Sequence, residues 1–203
     1  YQNFDLSRSF PIQSYLGPLG MTGHTAHVGL FKIGKLKKNQ TILVSAAAGS
    51  VGSLVCQIAK LYGCTVVAST GSDEKVEWLK NELKVDHAFN YKKTENIVLK
   101  LKEVMPEGFD LYFDNVGGDF LEAAIFRMKD FGNIVICGRI SQMNSTKTPE
   151  GLKNMAHVLV KRLTIRGFLI FDHEEVSDNF QNDMIKWLKN NQIITKETIY
   201  EGL

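Results

Sequence analysis

Short apolar runs alternate with longer amphipathic segments along most of this chain, and this alternation constrains the fold more than any other feature. The apolar runs, which predict strands, are 41–46, 65–70, 87–91, 109–116, 133–138 and 163–171. Helical spacing predicts helices at 51–62, 74–84, 94–104, 118–129, 152–161 and 176–190. Strand–helix repetition predicts a parallel sheet, and near-continuous apolar runs are typical of strands buried on both faces. The sequence therefore predicts an α/β fold with helices on both faces of a parallel sheet.

A run of small residues, Ala47-Ala48-Gly49-Ser50-Val51-Gly52, separates the first predicted strand from the first long helix. It matches the last two glycines of the fingerprint G-x-G-x-x-G and has alanine in place of the first. Glycine lets a pyrophosphate approach the main chain and lets the helix pack closely on its strand, while free N–H groups at the helix start face the phosphates. We interpret Gly49, Ser50, Val51 and Gly52 as the pyrophosphate loop of a Rossmann-type doubly wound sheet. The alternative is a plain tight turn.

The end of the second predicted strand indicates which dinucleotide is bound. NAD sites carry Asp or Glu near this point to bind the ribose hydroxyls, but here Ser69 and Thr70 are neutral and Lys75 follows. The lack of a carboxylate removes repulsion against a ribose 2′-phosphate, and a lysine supplies the opposite charge. We infer NADP(H) as the cofactor, with Lys75 at the 2′-phosphate. The alternative is a solvated lysine in the first turn of a helix.

Two further strand ends are expected to line the cofactor trough, because ligands of open parallel sheets bind outside the carboxyl ends of the strands. These ends are Asp-Asn-Val-Gly-Gly at 114–118 and Cys-Gly-Arg-Ile-Ser-Gln-Met-Asn at 137–144. The residues predicted to line the trough are Asn115, Gly117, Gly118, Gly138 and Ser141. The alternative is that they only form turns.

Composition and spacing argue against several other kinds of site. A net charge of +2 implies no general attraction to nucleic acid or to a membrane surface, and no apolar stretch reaches the roughly 18 residues that span a bilayer. Cys56, Cys64 and Cys137 lack C-x-x-C spacing, which argues against a zinc cluster or a disulfide framework and favours a reducing, cytoplasmic compartment. The histidines show no H-E-x-x-H spacing, so no metal site is expected.

Several longer segments occur together in an order that is specific. They are GMTGHTAHVGL, AAAGSVGS, GSDEK, FNYK, FDLYFDNVGG and ICGRISQMN. Their type and order resemble the leukotriene B4 12-hydroxydehydrogenase/prostaglandin reductase family of medium-chain dehydrogenases/reductases, which includes plant alkenal double-bond reductases. The resemblance implies the cofactor domain of a two-domain, zinc-independent, homodimeric enzyme. Residues 1–17 are then a linker remnant from an N-terminal catalytic domain, and 18–203 are the NADP-binding Rossmann domain without its C-terminal segment.

The resemblance also implies a role for individual residues. Gly49 to Gly52 would hold the pyrophosphate and Lys75 the 2′-phosphate, while Tyr91 and Asn115 would flank the adenosine and the linker to the nicotinamide. The nicotinamide end would be lined by Cys137, Gly138, Ile140, Ser141, Met143, Phe168, Leu169 and Ile170.

The reaction implied by the resemblance is NADPH-dependent reduction of a carbon–carbon double bond conjugated to a carbonyl, as in alkenals and 15-oxo-prostaglandins. Hydride reaches the β-carbon, and the enolate-like oxyanion is stabilised and protonated at the α-carbon. Many family members carry Tyr where this chain has Met143, and methionine cannot donate a proton. Tyr91, a substrate-side residue or water is then the candidate donor. Met143 leaves two alternatives, a quinone reductase of the same superfamily and an NADPH-binding protein without activity.

Overall fold

Six strands pair side by side in the computed structural model, which describes residues 10–143, 151–200 and 202. The strands are β1 (Thr41–Val44), β2 (Thr65–Thr70), β3 (His87–Asn90), β4 (Phe109–Asp114), β5 (Met128–Ile136) and β6 (Thr164–Gly167). Their order across the sheet is β3-β2-β1-β4-β5-β6, and every neighbouring pair is parallel. This is the order of doubly wound dinucleotide-binding sheets, so the predicted Rossmann-type α/β fold is confirmed.

Helices alternate with these strands and cover both faces of the sheet. The described helices are α1 (Ile12–Leu16), α2 (Met21–Val28), α3 (Ser50–Leu61), α4 (Asp73–Asn81), α5 (Ile97–Val104), α6 (Gly118–Arg127), α7 (Ile140–Met143), α8 (Met155–Val160) and α9 (Ser177–Lys189). A π-helical turn follows α2 at Gly29–Ile33, and 3₁₀ turns lie at Tyr91–Lys93, Ile170–Asp172 and Glu174–Val176. Each helix predicted from the sequence is present, and its ends shift by at most three residues.

Alternate strand residues pack into two separate apolar cores, one on each face of the sheet. In β1, Ile42 and Val44 lie in the core that contains α3 and α9, whereas Leu43 lies in the core that contains α6. Successive side chains of a strand point to opposite faces. A strand covered on both sides therefore needs an apolar residue at every position, which is why these strands are continuous apolar runs in the sequence.

Strand β5 begins earlier than the sequence predicts. The composition of residues 130–133, Asp-Phe-Gly-Asn, is that of a turn, and the predicted strand starts only at 133. In the structure β5 runs through this segment, and its pairing with β4 shifts register between Phe109 and Leu111. Phe131 takes a φ of +62°, so the extra residues are absorbed in a bulge. The predicted turn is wrong because turn-type residues also suit the distorted backbone of a bulge.

The N-terminal part of the described chain packs on the α3 side of the sheet. Tyr15 of α1 and Leu19 are buried in the same core as α3. In α2, a Cβ on Gly23 would lie 1.8 Å from the carbonyl oxygen of Pro18, so only glycine allows the chain before α2 to fold back on the helix. Residues 1–9 of the predicted linker lie outside the described residues, and the domain boundary after residue 17 stays a prediction.

Within the described ranges, no helix combines the length and the apolar character that crossing a membrane requires.

Candidate functional site

The turn between β1 and α3 is built from small residues because the main chain folds closely on itself there. Ala46 takes a φ of +46° and accepts the N–H of Gly49 at 2.9 Å. A Cβ on Gly52 would lie 2.5 Å from the Ala46 carbonyl oxygen and 2.9 Å from the Cα of Ala47. Both neighbours are backbone atoms, so the turn has room only for glycine at this position.

The N-terminus of α3 is open to a ligand. Gly49 is its N-cap, no side chain caps the helix, and both Gly49 and Ser50 are exposed. The first N–H groups of a helix have no intrahelical acceptor, and the helix dipole places partial positive charge at this end. Because Gly52 packs the start of α3 directly against the Ala46 carbonyl, these N–H groups lie at the turn itself, where they fit the diphosphate of a dinucleotide.

The end of β1 is tied to the end of β4 by a buried polar network. The Tyr112 hydroxyl donates to Asp114 Oδ1 at 2.6 Å, and the Ser45 hydroxyl lies 3.0 Å from the Tyr112 oxygen. Asn115 donates its side-chain amide to the Ser45 carbonyl at 2.8 Å and its N–H to the Ser45 hydroxyl at 3.0 Å. Because the strand order reverses between β1 and β4, this network fixes Asn115 at the crevice where doubly wound sheets bind ligands.

The loops after β4 and β5 are joined by main-chain hydrogen bonds. The N–H groups of Cys137 and Gly138 donate to the Asp114 carbonyl at 2.8 and 3.0 Å, and the N–H of Ile140 donates to the Asn115 carbonyl at 3.2 Å. The Ser141 hydroxyl donates to the Val116 carbonyl at 2.7 Å, and a Cβ on Gly118 would lie 3.2 Å from that hydroxyl. The structure thus brings Asn115, Gly117, Gly118, Gly138, Ile140 and Ser141 together beside the glycine loop. Asn144, at the end of the predicted segment, lies outside the described residues.

Lys75 and Tyr91 lie at the opposite side of the crevice. Lys75 is exposed in the first turn of α4, where its N–H lies 3.4 Å from the Ser72 hydroxyl that caps the helix. The hydroxyl of Tyr91, just after β3, is 3.6 Å from the position of a Cβ on Gly71 at the end of β2. Strands are spaced by roughly 5 Å, so β3 and β5 are about 19 Å apart across the sheet. Lys75 and Tyr91 therefore belong to one end of the crevice and Met143 to the other.

The residues predicted for the nicotinamide end differ in their surroundings. Met143 and Leu169 are 71% and 67% exposed, and Ile140 is exposed as well. Phe168 and Ile170 are half-buried and pack on the core that contains α3. The Cys137 thiol is largely enclosed, and burial together with the nearby Asp114 carboxylate raises its pKa to about 12. A thiol that stays protonated at neutral pH is suited to line a wall rather than to attack.

A cavity of about 160 Å³ lies against the glycine loop, and several residues that line it were not predicted from the sequence. Besides Ala48, Gly49 and Ser50, its lining includes Gly17, Pro18, Thr22, Ser53, Leu54, Trp78, Thr195, Lys196 and Glu197. The C-terminal part of this wall is held by the buried Gln57, whose amide group donates to the Ile194 carbonyl at 3.0 Å and accepts its N–H at 2.8 Å. A glutamine on the apolar face of α3 is the one signal in the sequence that could have indicated this contact.

In the described part of the chain, no three His, Cys, Asp or Glu side chains are grouped so that they could hold a metal ion.

Known proteins are similar to this chain over nearly its whole length. The sequence profile of the family described as zinc-binding dehydrogenase matches residues 50–190. The chain is 45% identical over 196 residues to (+)-pulegone reductase of Mentha piperita, with 97% of this chain and 57% of that protein covered. It is 46% identical over 195 residues to prostaglandin reductase 1 of Bos taurus, covering 96% and 59%. The NADP(+)-dependent 2-alkenal reductase of Nicotiana tabacum is 42% identical over 196 residues, with 97% and 57% covered.

A solved structure agrees with these relatives. CurA of Vibrio vulnificus in complex with NADPH is 39% identical, has a TM-score of 0.86, and covers 94% of this chain and 58% of its own. The chain spans somewhat under 60% of the length of each of the relatives named here.

Proposed function

Because this chain belongs to the zinc-binding dehydrogenase family, and within the medium-chain dehydrogenases/reductases to the prostaglandin reductase and alkenal reductase group, we propose that it forms the cofactor-binding part of an NADPH-dependent enone reductase. The proposed reaction is zinc-independent reduction of the carbon–carbon double bond of α,β-unsaturated aldehydes and ketones, including alkenals and 15-oxo-prostaglandins. Three relatives named for reductions of this kind and a relative with bound NADPH support this choice.

The observation that carries the proposal is the uncapped start of α3 at the glycine turn. Gly52 lets the first turn of α3 pack directly against the Ala46 carbonyl, where a Cβ would clash, and no side chain caps the exposed start of this helix. A dinucleotide diphosphate supplies the negative charge and the acceptor oxygens that these N–H groups need. Ser69 and Thr70 are neutral at the end of β2, and Lys75 is exposed nearby, which favours the phosphorylated dinucleotide.

In this proposal each part of the crevice has a separate task. Residues Gly49 to Gly52 bind the diphosphate and Lys75 the 2′-phosphate, while Asn115, held by Ser45, orients the part that leads to the nicotinamide. The bound cofactor supplies hydride for the β-carbon of the substrate. Loop 137–143 and residues Phe168, Leu169 and Ile170 exclude water from the hydride-donating end.

The proton for the α-carbon comes from outside this set of residues. Met143 has no proton to give, and Tyr91 lies about four strand spacings away from β5, roughly 19 Å. We therefore place Tyr91 with the adenosine half of the cofactor and assign protonation to water or to a substrate-side residue of the N-terminal catalytic domain.

The domain organisation, the compartment and the oligomeric state of the complete protein are also part of the proposal. We propose that residues 18–203 form a cofactor domain next to a catalytic domain joined through 1–17, and that the enzyme is a cytoplasmic homodimer. The strand β6 ends the sheet with exposed residues, and such an edge can pair with the same strand of a second copy.

A quinone reductase is the second candidate function, and Met143 is the observation that favours it. Reduction of a quinone needs less acid assistance at carbon, so a methionine in place of a proton donor is easier to accommodate. The side chain of Met143 is 71% exposed at the end of the loop after β5.

Product analysis with the full-length protein separates these functions. We expect NADPH to be consumed with 4-hydroxynonenal and a 15-oxo-prostaglandin at about 1–1,000 turnovers per second. The double bond should be saturated and the carbonyl intact, with the nicotinamide hydrogen at the β-carbon and solvent hydrogen at the α-carbon. Deuterated NADPH and deuterated water read out both positions by mass spectrometry, and a saturated aldehyde is the control substrate that should not react.

Two outcomes would contradict the enone reductase. Consumption of NADPH with a naphthoquinone alone would identify the quinone reductase. NADPH binding without consumption of any of these substrates would identify a cofactor-binding protein that has no such activity.

A further inference from the structure

A lysine side chain from the end of β3 crosses the end of β2. Thr70 pairs with Asn90 across the two strands, so the residues that follow each strand adjoin. Asn90 Oδ1 accepts the N–H of Lys92 at 3.1 Å, which fixes the turn after β3. The side chain of Lys92 then lies over Gly71, with its Cε 3.2 Å from the position of a Cβ on that residue. Lys92 thus reaches the end of β2 from the neighbouring strand.

The end of β2 is where a Rossmann-type sheet binds the adenosine ribose. Glycine at 71 provides the space for Lys92 to cross, because a Cβ there would crowd the lysine chain. The hydroxyl of Tyr91 lies 3.6 Å from the same position. The crossing therefore carries the ammonium group of Lys92 to the ribose end of the crevice, where Lys75 is the one lysine that the sequence predicts.

The lysines near this end differ in their partners. Lys93 forms an ion pair with Asp73, whose other carboxylate oxygen accepts the side-chain amide of Asn90 at 2.8 Å. The hydrogen bonds from Lys93 and Asn90 hold the pKa of Asp73 below its usual value, so this carboxylate stays ionised and paired. Within the residues that the structure describes, neither Lys75 nor Lys92 has an acidic partner. Two cations are left uncompensated.

We propose that Lys92 is a second ligand of the 2′-phosphate of NADP(H) and acts together with Lys75, an inference that rests on the proposed function. A phosphate monoester carries about two negative charges near neutral pH, and two ammonium groups supply matching charge-assisted hydrogen bonds. Lys93 has a different task, since it neutralises the Asp73 carboxylate that would otherwise repel the phosphate. The preference for NADP(H) over NAD(H) then depends on Lys92 in the turn after β3 as well as on Lys75 in α4.

Binding of small adenosine phosphates to full-length protein tests this directly. Adenosine 2′,5′-bisphosphate and 5′-AMP differ only in the 2′-phosphate, so their affinity ratio isolates that contact from the nicotinamide and from catalysis. In calorimetric titrations we expect Lys92→Ala to weaken binding of the bisphosphate and of NADPH by about 10- to 100-fold. Binding of 5′-AMP and NADH should change by less than about twofold, because neither ligand carries a 2′-phosphate for Lys92 to bind.

Lys80→Ala is the matched control. Lys80 is exposed in the last turn of α4, so its removal lowers the net charge equally but leaves the ribose end intact. A change of less than about twofold is expected for every ligand. The double substitution Lys93→Ala/Asp73→Asn, which removes the ion pair but keeps the net charge, should also leave the bisphosphate affinity within about threefold.

The outcomes separate this inference from the proposed function. Suppose that the wild-type protein prefers the bisphosphate over 5′-AMP, and that Lys92→Ala weakens bisphosphate binding no more than Lys80→Ala does. This result would overturn the role of Lys92 and leave the choice of NADP(H) intact. A wild-type protein that binds the bisphosphate and 5′-AMP equally would overturn the choice of NADP(H) as well.

Discussion

Replacing Gly52 with valine is expected to weaken NADPH binding by at least about 100-fold. The new Cβ would lie 2.5 Å from the Ala46 carbonyl oxygen and 2.9 Å from the Cα of Ala47, and both are backbone atoms of the turn itself. The turn must move, and the N–H groups at the start of α3 lose their alignment with the diphosphate. Losing two charge-assisted hydrogen bonds corresponds to a rise of at least about 100-fold in the Kd for NADPH. Overpacking should also lower the free energy of unfolding by about 1–3 kcal/mol.

The control for Gly52→Val is the same substitution at Gly151. No atom lies within 4 Å of the position of a Cβ on Gly151, so Gly151→Val should leave the unfolding free energy within about 0.5 kcal/mol and the NADPH affinity unchanged. Fluorescence titration gives the affinities and urea unfolding gives the stabilities. A Gly52→Val protein that is folded and binds NADPH as tightly as the wild type would mean that the diphosphate does not lie against this turn.

The second large effect is expected at Asp114, which organises the loop after β4. Its Oδ1 accepts the Tyr112 hydroxyl at 2.6 Å and the N–H groups of Val116 and Gly117 at 2.9 Å each. The carboxylate is fully buried, and the Ser45 hydroxyl also donates to Oδ1 at 3.3 Å, so Asp114→Ala leaves four donors without this acceptor. Because each buried donor left unpaired costs about 1–3 kcal/mol, we expect a loss of about 3–5 kcal/mol in the free energy of unfolding, measured by urea denaturation.

Tyr112→Phe provides the comparison for Asp114→Ala. It removes one of the four donors and leaves the carboxylate with the Ser45 hydroxyl and its two main-chain partners, so the expected loss is only about 1 kcal/mol. Equal losses for the two variants would show that the main-chain contacts of Asp114 contribute little. A loss below about 1 kcal/mol for Asp114→Ala would contradict the role of this carboxylate in holding the loop.

The positions of strands, helices and turns that depend on local sequence could be predicted well. The strand β2 has the predicted ends, since Gly63 precedes it and Gly71 with Ser72 follows it. The glycine turn could be placed because a strand pattern ends and a helix pattern begins within a few residues of it. Burial on both faces makes the strands continuous apolar runs, and this signal does not depend on distant partners.

Features that depend on pairing between distant segments could not be predicted. The crossing of Gly71 by Lys92 follows from the register of Thr70 with Asn90, which no local pattern encodes. The contact of Gln57 with Ile194 joins residues far apart in the chain. The turn composition of 130–133 was misleading because a bulge and a turn favour the same residue types.

The most direct test is a crystal structure of the full-length protein grown with NADP⁺. The result we expect is density for the cofactor across the carboxyl ends of the strands, with the diphosphate within hydrogen-bonding distance of main-chain N–H groups at 50–52 and the 2′-phosphate beside Lys75. A fully occupied cofactor whose diphosphate lies away from the start of α3 would contradict it, as would a 2′-phosphate that points to solvent away from the end of β2.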